Sequence, residues 1–208
     1  MSAAAAPVAL HRTLPPEESG RADLYALLAR LLHAGPDDAL LHTLASAPAL
    51  PMEAHADLRD AWQGLVLASH AMDADAGAEE YEHLFVGMGK APVSVYAGSY
   101  PRAVVDHPRV RIQEELAALG LARPATVTEP EDHIAGLMDV MRVLVAGGAG
   151  RAPADLATQR GFFENYLAQV LPRCFAAMAA AAEANYYRHV AALGQAFAAL
   201  ECQSFELE

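Results

Sequence analysis

Cysteine is scarce: Cys174 and Cys202 are the only two in 208 residues, and they form neither a Cys-x-x-Cys pair nor a dense disulfide pattern. That excludes a disulfide-stapled scaffold and makes a reducing compartment the expectation, with both thiols packing as small apolar groups. Tryptophan occurs once, at Trp62. Basic charge is also short, with 14 Lys and Arg against 26 Asp and Glu and a net charge of −12. The average field repels phosphate, which sets nucleic acid aside and favours cationic partners. Val and Ile are sparse and never alternate with polar residues over a strand's length, so sheets are not expected. No uncharged apolar run reaches the roughly 18 residues that cross a bilayer. Met1 to Arg12 lacks a basic start followed by an adequate apolar stretch, so the expected location is the cytoplasm.

What the chain does have is apolar mass, 54% of its residues, much of it alanine, the strongest helix former. The expectation is an all-α, single-domain bundle of roughly eight or nine helices with an irregular central loop. Residues 1–16, ending in Pro15-Pro16, form a flexible N-terminus, and 17–208 form the helical domain. Leu24, Leu27, Leu28, Leu31 and Leu32 repeat at helical spacing until Gly35-Pro36 stops them. Asp37 is placed to cap a short helix to Leu44. Leu58, Trp62, Leu65, Val66 and Met72 form the stripe of a third helix, and Tyr81, Leu84 and Phe85 share a face of a fourth before Gly87.

From Gly87 to Pro101, glycines and prolines exclude ordinary helix, and the Tyr and Val content predicts a loop lying against an apolar surface. A helix from about Pro108 through Leu119 turns Ile112, Leu116 and Leu119 inward and stops at Gly120. Thr128-Glu-Pro-Glu131 has the spacing of a capping box, which predicts a helix start there, with Asp132 and His133 in its first turn. Ile134, Leu137, Met138, Met141, Leu144 and Val145 carry that helix to Gly147-Gly148. A further stripe through Leu156, Phe163, Tyr166, Leu167 and Val170 is predicted to break at Pro172. Two last helices follow, one around Phe175 and Met178 and one carrying Tyr187, Val190, Leu193, Phe197 and Leu200.

Reactive constellations are few. Glu80 and His83 have the Glu-x-x-His spacing that supplies metal ligands in ferritin-like bundles, but the second copy that chemistry needs is missing, because Glu129-Pro-Glu-Asp-His133 has no i, i+3 pair. Gly87 to Lys90 and Gly147 to Gly150 lack the full phosphate-loop pattern and a preceding strand. No nucleophile elbow appears. Asp132 and His133 are the best polar functional pair, although an acid in a helix's first turn is favoured by the helix dipole whatever the protein does.

Two blocks resemble the TorD/DmsD/NarJ superfamily of redox-enzyme maturation chaperones, and the TorD and DmsD branches most. One is Glu80-Tyr-Glu-His-Leu-Phe-Val-Gly87 followed by Pro92-Val-Ser-Val-Tyr96, similar to the Tyr-x-x-Leu-Phe helix end and its Pro- and Ser-containing loop. The other is Glu129-Pro-Glu-Asp-His133, similar to the Glu-Pro-x-Asp-His signature. The stretches Gln159-Arg-Gly-Phe-Phe163 to Pro172 and Tyr186-Tyr-Arg188 are also family-like.

The resemblance implies a cytoplasmic, cofactor-free chaperone, not an enzyme, that binds the twin-arginine signal peptide of a molybdenum-cofactor catalytic subunit and delays export until the cofactor is inserted. By the same resemblance Tyr81, Leu84, Phe85 and Gly87 belong to the peptide-binding region, with Pro92, Ser94 and Tyr96 shaping its loop. Glu129, Pro130, Asp132 and His133 form a second wall or a hinge, expected at 121–130. The partner is the signal peptide and apo form of that subunit, and the chaperone is a monomer or a domain-exchanged dimer. A basic, apolar leader suits an apolar groove in an acidic protein. Two alternatives stand beside this: a NarJ-like assembly factor for a subunit that is never exported, and a helical-bundle enzyme or ligand carrier using Asp132, His133 and Glu80 or His83.

Overall fold

The computed structural model describes residues 14–51, 54–87, 91–100, 108–122, 129–148 and 150–206. Among them are nine α-helices and no strand. Helix α1, Pro16–His33, opens with Glu17 and Glu18 and closes with Arg30 and His33, charges that complement its dipole at both ends. It takes in Pro16, one residue earlier than the sequence suggests, because proline's fixed φ suits a first helical turn. Arg30 donates to the carbonyls of Ala34 and Gly35 and pairs with Asp37 at 2.9 Å. Asp37 in turn accepts the N–H of Leu40 and caps α2, Asp38–Ala45, so one arginine joins the end of the first helix to the start of the second.

Helix α3, Ala56–Ala71, packs on α2, and Trp62 donates to the carbonyl of Pro48 at 2.9 Å. Asp73 caps α4, Ala74–Tyr81. There the regular helix ends, and Glu82–Val86 continue as a wide π-helical turn closed by Gly87 at φ 58°. The turn carries Leu84 and Phe85 into the core. A short 3-10 turn, Ala97–Ser99, precedes α5, Pro108–Ala118.

Helix α6, Ile134–Ala146, is the most apolar of the bundle's central elements, with Ile134, Leu137, Met138, Met141, Leu144 and Val145 all buried. Its start corrects the capping-box expectation: Thr128 lies outside the described residues, Glu129 to Asp132 form a bend and a turn, and the cap is His133 itself, whose Nδ1 accepts the N–H of Ala135 at 3.2 Å. Asp132 and His133 therefore precede the first helical turn. The glutamate spacing misled because the chain at Asp132 and His133 is occupied by pairing with residues 95–97, described below.

Helix α7 spans Leu156–Tyr166, capped by Asp155. It ends before Pro172, which instead stands in the first turn of α8, Leu171–Ala180, where a missing N–H costs nothing. Helix α9, Tyr186–Glu206, closes the bundle.

The centre is the pair α1 and α6, while α9 packs on α3 and α8 and touches α1 and α4. Tyr25, Leu28, Leu31 and Leu32 of α1 are fully buried, each apolar side chain contributing on the order of 2 kcal/mol of transfer free energy. The α8–α9 crossing is close because of Gly194: a Cβ there would stand 2.3 Å from Cζ of Phe175. Arg21, Tyr25 and Glu201 tie α1 to α9, with both Glu201 oxygens 2.8 Å from the guanidinium and Oε2 also accepting from Tyr25 at 2.7 Å. No described helix is long and apolar enough to cross a membrane.

Candidate functional site

The two blocks singled out in the sequence meet through main-chain atoms. Val93 donates its N–H to Leu84 O at 3.0 Å, which folds the loop back over the π-turn and buries Val93 and Val95. Ile134 then donates to Val95 O and Ala97 donates to Asp132 O, both at 2.8 Å, making an antiparallel bridge between Tyr96 and His133. A period-two pattern needs several residues to show, so a single bridged pair leaves no trace in the sequence.

Side chains lock this seam. The carboxylate of Asp132, 2% exposed, accepts Arg109 Nε at 2.8 Å and the N–H of Gly98 at 3.3 Å. Ser94 donates its hydroxyl to Ser99 Oγ at 2.7 Å and accepts the N–H of Tyr96, while its carbonyl accepts from the Tyr100 hydroxyl and the Cys174 thiol. Burial pushes the Cys174 thiol up to about 11, so it stays a neutral donor. Pro92 is exposed on the outer side of the loop.

The His133 ring is buried between two aromatic neighbours. Tyr96 meets it edge-on at 5.3 Å between centroids, and His33, from the end of α1, stands 6.1 Å away. Burial, with the charge of His33 in support, holds the His133 imidazole below the ordinary histidine value, while Glu129 and Asp132 work in the other direction. His33 is itself held from behind, since its carbonyl accepts the Tyr81 hydroxyl at 2.7 Å. Burial raises that hydroxyl to about 12. Tyr81 packs at a tilt on Phe85, Phe85 meets Tyr187 edge-on, and Tyr187 donates to Leu31 O, so the α4 end is anchored to the last turn of α1.

Beside His133 opens a cleft of about 730 Å³. Its floor is the α6 face of Gly136, Val140 and Val143, and His33, Leu116, residues 120–122, Glu129, Pro130 and Glu131 complete the lining. Its far end is Gly147, Gly148 and Arg151, and Arg151 also donates to Leu119 O at the end of α5. Asp139 and Arg142 on the rim pair with each other. Gly136 leaves the floor bare: among the described residues, nothing lies within 4 Å of where its Cβ would be.

Of the sequence-derived site residues, Glu129, Pro130 and His133 border the cleft. Tyr96 and Asp132 stand directly behind His133, and Ser94 and Pro92 extend the supporting loop. Leu84 and Phe85 are enclosed in the core and Gly87 ends the π-turn, away from the cleft lining. Glu80, weighed as a metal ligand, accepts the N–H groups of Asn185, Tyr186 and Tyr187 and so caps α9, while His83 is exposed. Sequence reasoning missed His33, Leu116 and Arg151, which carry no motif. Gly136 did carry a signal, being a glycine inside an otherwise apolar helix where alanine would be more stable.

Fold and site together define an all-helical protein with a concave, largely apolar cleft at the junction of its two signature blocks. The chain belongs to the nitrate reductase delta subunit family, whose model matches residues 52–176 of its 208. That family is part of the redox-enzyme maturation chaperone superfamily, assembly factors for molybdoenzymes and not catalysts. Among curated proteins, none matches the chain. The matched stretch takes in both signature blocks and the whole of α6, hence the entire cleft floor.

Proposed function

We propose that the cleft beside His133 binds the N-terminal leader of a molybdenum-cofactor oxidoreductase catalytic subunit, so that this chain acts in the cytoplasm as a chaperone of the TorD/DmsD type and delays export until the cofactor is in place. The observation that carries this reading is the bare apolar face of α6 around Gly136, opening where the two signature blocks join. A cleft of 730 Å³ is in the range of roughly 300–1,000 Å³ usual for ligand pockets, enough for a short run of apolar side chains and too small for a folded domain. Glu129 and Glu131 in its lining, and a net charge of −12, complement a leader with a basic start and an apolar middle. Leu84 and Phe85 serve from behind, fixing the π-turn on which the seam rests.

The family match favours a second reading, an assembly factor for a subunit that is not exported. The two separate on one titration. A synthetic leader with its paired arginines is expected to bind, more weakly as salt rises and more weakly still with the arginines changed to glutamine. Equal affinity for a leader lacking them would favour the second reading. In either case Gly136→Phe, which fills the floor from an open position, is expected to abolish binding while the circular dichroism remains helical. Unaltered binding by that variant would move the site off the cleft.

A further inference from the structure

His133 stands where the α6 cap, the 95–97 seam and the cleft meet. Its Nδ1 accepts the N–H of Ala135, which requires that nitrogen to be bare and puts the neutral ring's hydrogen on Nε2. Its backbone neighbours make the hydrogen bonds that hold the 95–97 loop. Its ring borders the cleft. We propose that His133 is a proton-sensitive latch on the cleft: a neutral ring caps α6 and leaves the cleft able to hold a cationic leader, and a protonated ring uncaps the helix and expels the leader. This rests on the leader reading for its ligand, and on geometry alone for the latch.

A protonated Nδ1 cannot accept, so Ala135 loses its partner, and the new charge sits against the positive end of the α6 dipole. A basic peptide in the cleft would add repulsion of the same sign. The groups facing the ring are His33 from α1, Tyr96 from the 3-10 loop, Glu129, Glu131 and Asp132 from its own loop, and Tyr81 behind His33. Arg109 of α5 neutralises Asp132, and Asp139, Arg142 and Arg151 lie farther along the cleft. Glu129 and Asp132 favour the charged ring, but burial and His33 outweigh them. The unfolded chain therefore takes up this proton more readily than the folded one. Stability held in full above the ordinary histidine value falls as pH drops through the lowered folded value.

The test uses His133→Asn, since asparagine retains a side-chain acceptor suited to the cap and does not titrate. For the wild-type chain, leader affinity is expected to fall as pH drops below the ordinary histidine value, approaching tenfold per pH unit once the ring is charged, and binding in that range should release a proton, read by calorimetry in buffers of different ionisation enthalpy. In His133→Asn the fall and the proton release should both be lost. Separately, without peptide, the wild-type melting temperature should drop more steeply on acidification than that of His133→Asn. Parallel melting curves overturn the latch, as does a pH dependence that survives in His133→Asn and is lost in His33→Gln. Failure of the leader to bind at pH 7.5 overturns the leader reading instead, and the peptide-free melting comparison then decides the latch by itself.

Discussion

Glu80 and Tyr187 stand 107 residues apart in the chain and are joined by a 2.8 Å hydrogen bond from the Tyr187 N–H to the Glu80 carboxylate. The same carboxylate accepts the N–H groups of Asn185 and Tyr186, so an acid at the end of α4 caps the start of α9. Glu80→Ala leaves these donors buried or half-buried without a partner, and a loss of about 3 kcal/mol in urea unfolding is expected. Glu80→Gln, which keeps an acceptor oxygen, should lose about 1 kcal/mol. Equal losses would mean that the charge, and not the acceptor, holds the helix.

Glu201 is fully buried against Arg21 and Tyr25. Burial opposes the charge on Arg21, but the hydrogen bonds and charge of Glu201, with help from Glu18, more than offset it, and Arg21 holds its proton more firmly than a free arginine. Glu201→Ala should cost roughly 3 kcal/mol by taking the main partner from the guanidinium, which keeps Glu18 and Gln159, and the acceptor from the Tyr25 hydroxyl. The double variant Arg21→Leu with Glu201→Met should recover most of that loss in chemical denaturation.

Asp132 is held by Arg109 and Gly98, and it positions the residue beside the cleft. Asp132→Ala is expected to weaken leader binding about tenfold, with a helical circular dichroism spectrum and a stability loss of about 2 kcal/mol. Arg109→Ala removes the cation beside the buried Asp132 carboxylate and should cost about 1–2 kcal/mol, with a smaller loss of leader affinity than Asp132→Ala. Peptide titrations of both variants against the wild type check the ranking.

Gly194 faces the ring of Phe175, with no room for a Cβ. Gly194→Ala should therefore destabilise by about 2 kcal/mol despite alanine's better helix propensity. Gly136→Ala, into open space, should stabilise by up to about 1 kcal/mol. Thermal melts of the two variants should move in opposite directions.

Cys174 is buried with its thiol raised to about 11, whereas Cys202 is half-buried and raised less far, by burial and by Glu206 and Glu201. A thiol reagent at pH 8 should modify Cys202 first and reach Cys174 only in denaturant. Mass spectrometry of partly labelled protein would report the order.

Most of the helices were legible in the sequence because their buried faces repeat at helical spacing, as in Leu24 to Leu32 and Ile134 to Val145, and because Asp37, Gly120 and Gly147 mark ends by local chemistry. The start of α6 was not, because residues 95–97 bind the chain at Asp132 and His133, and such a partner is invisible in a local window. Pro172 misled in the opposite sense, since proline reads as a stop but is equally at home in a first turn. At the candidate site, the motif residues Glu129, Pro130 and His133 lie in the cleft lining. The cleft itself is made largely of ordinary residues, Leu116, Val140 and Arg151, that packing alone brings together. Glu80 had the spacing of a ligand, and only the position of α9 reveals that it is a cap.

The marriage of α1 to α6 at the heart of the bundle also governs how the molecule is born. During synthesis, Leu28 and its neighbours on the first helix leave the ribosome long before Met138 and Met141 exist to cover them. The nascent chain must carry that oily stripe unsheltered through most of its translation, and contacts of such long sequence separation slow folding once they can form. A protein that tends the unfinished state of another thus passes through a vulnerable infancy of its own.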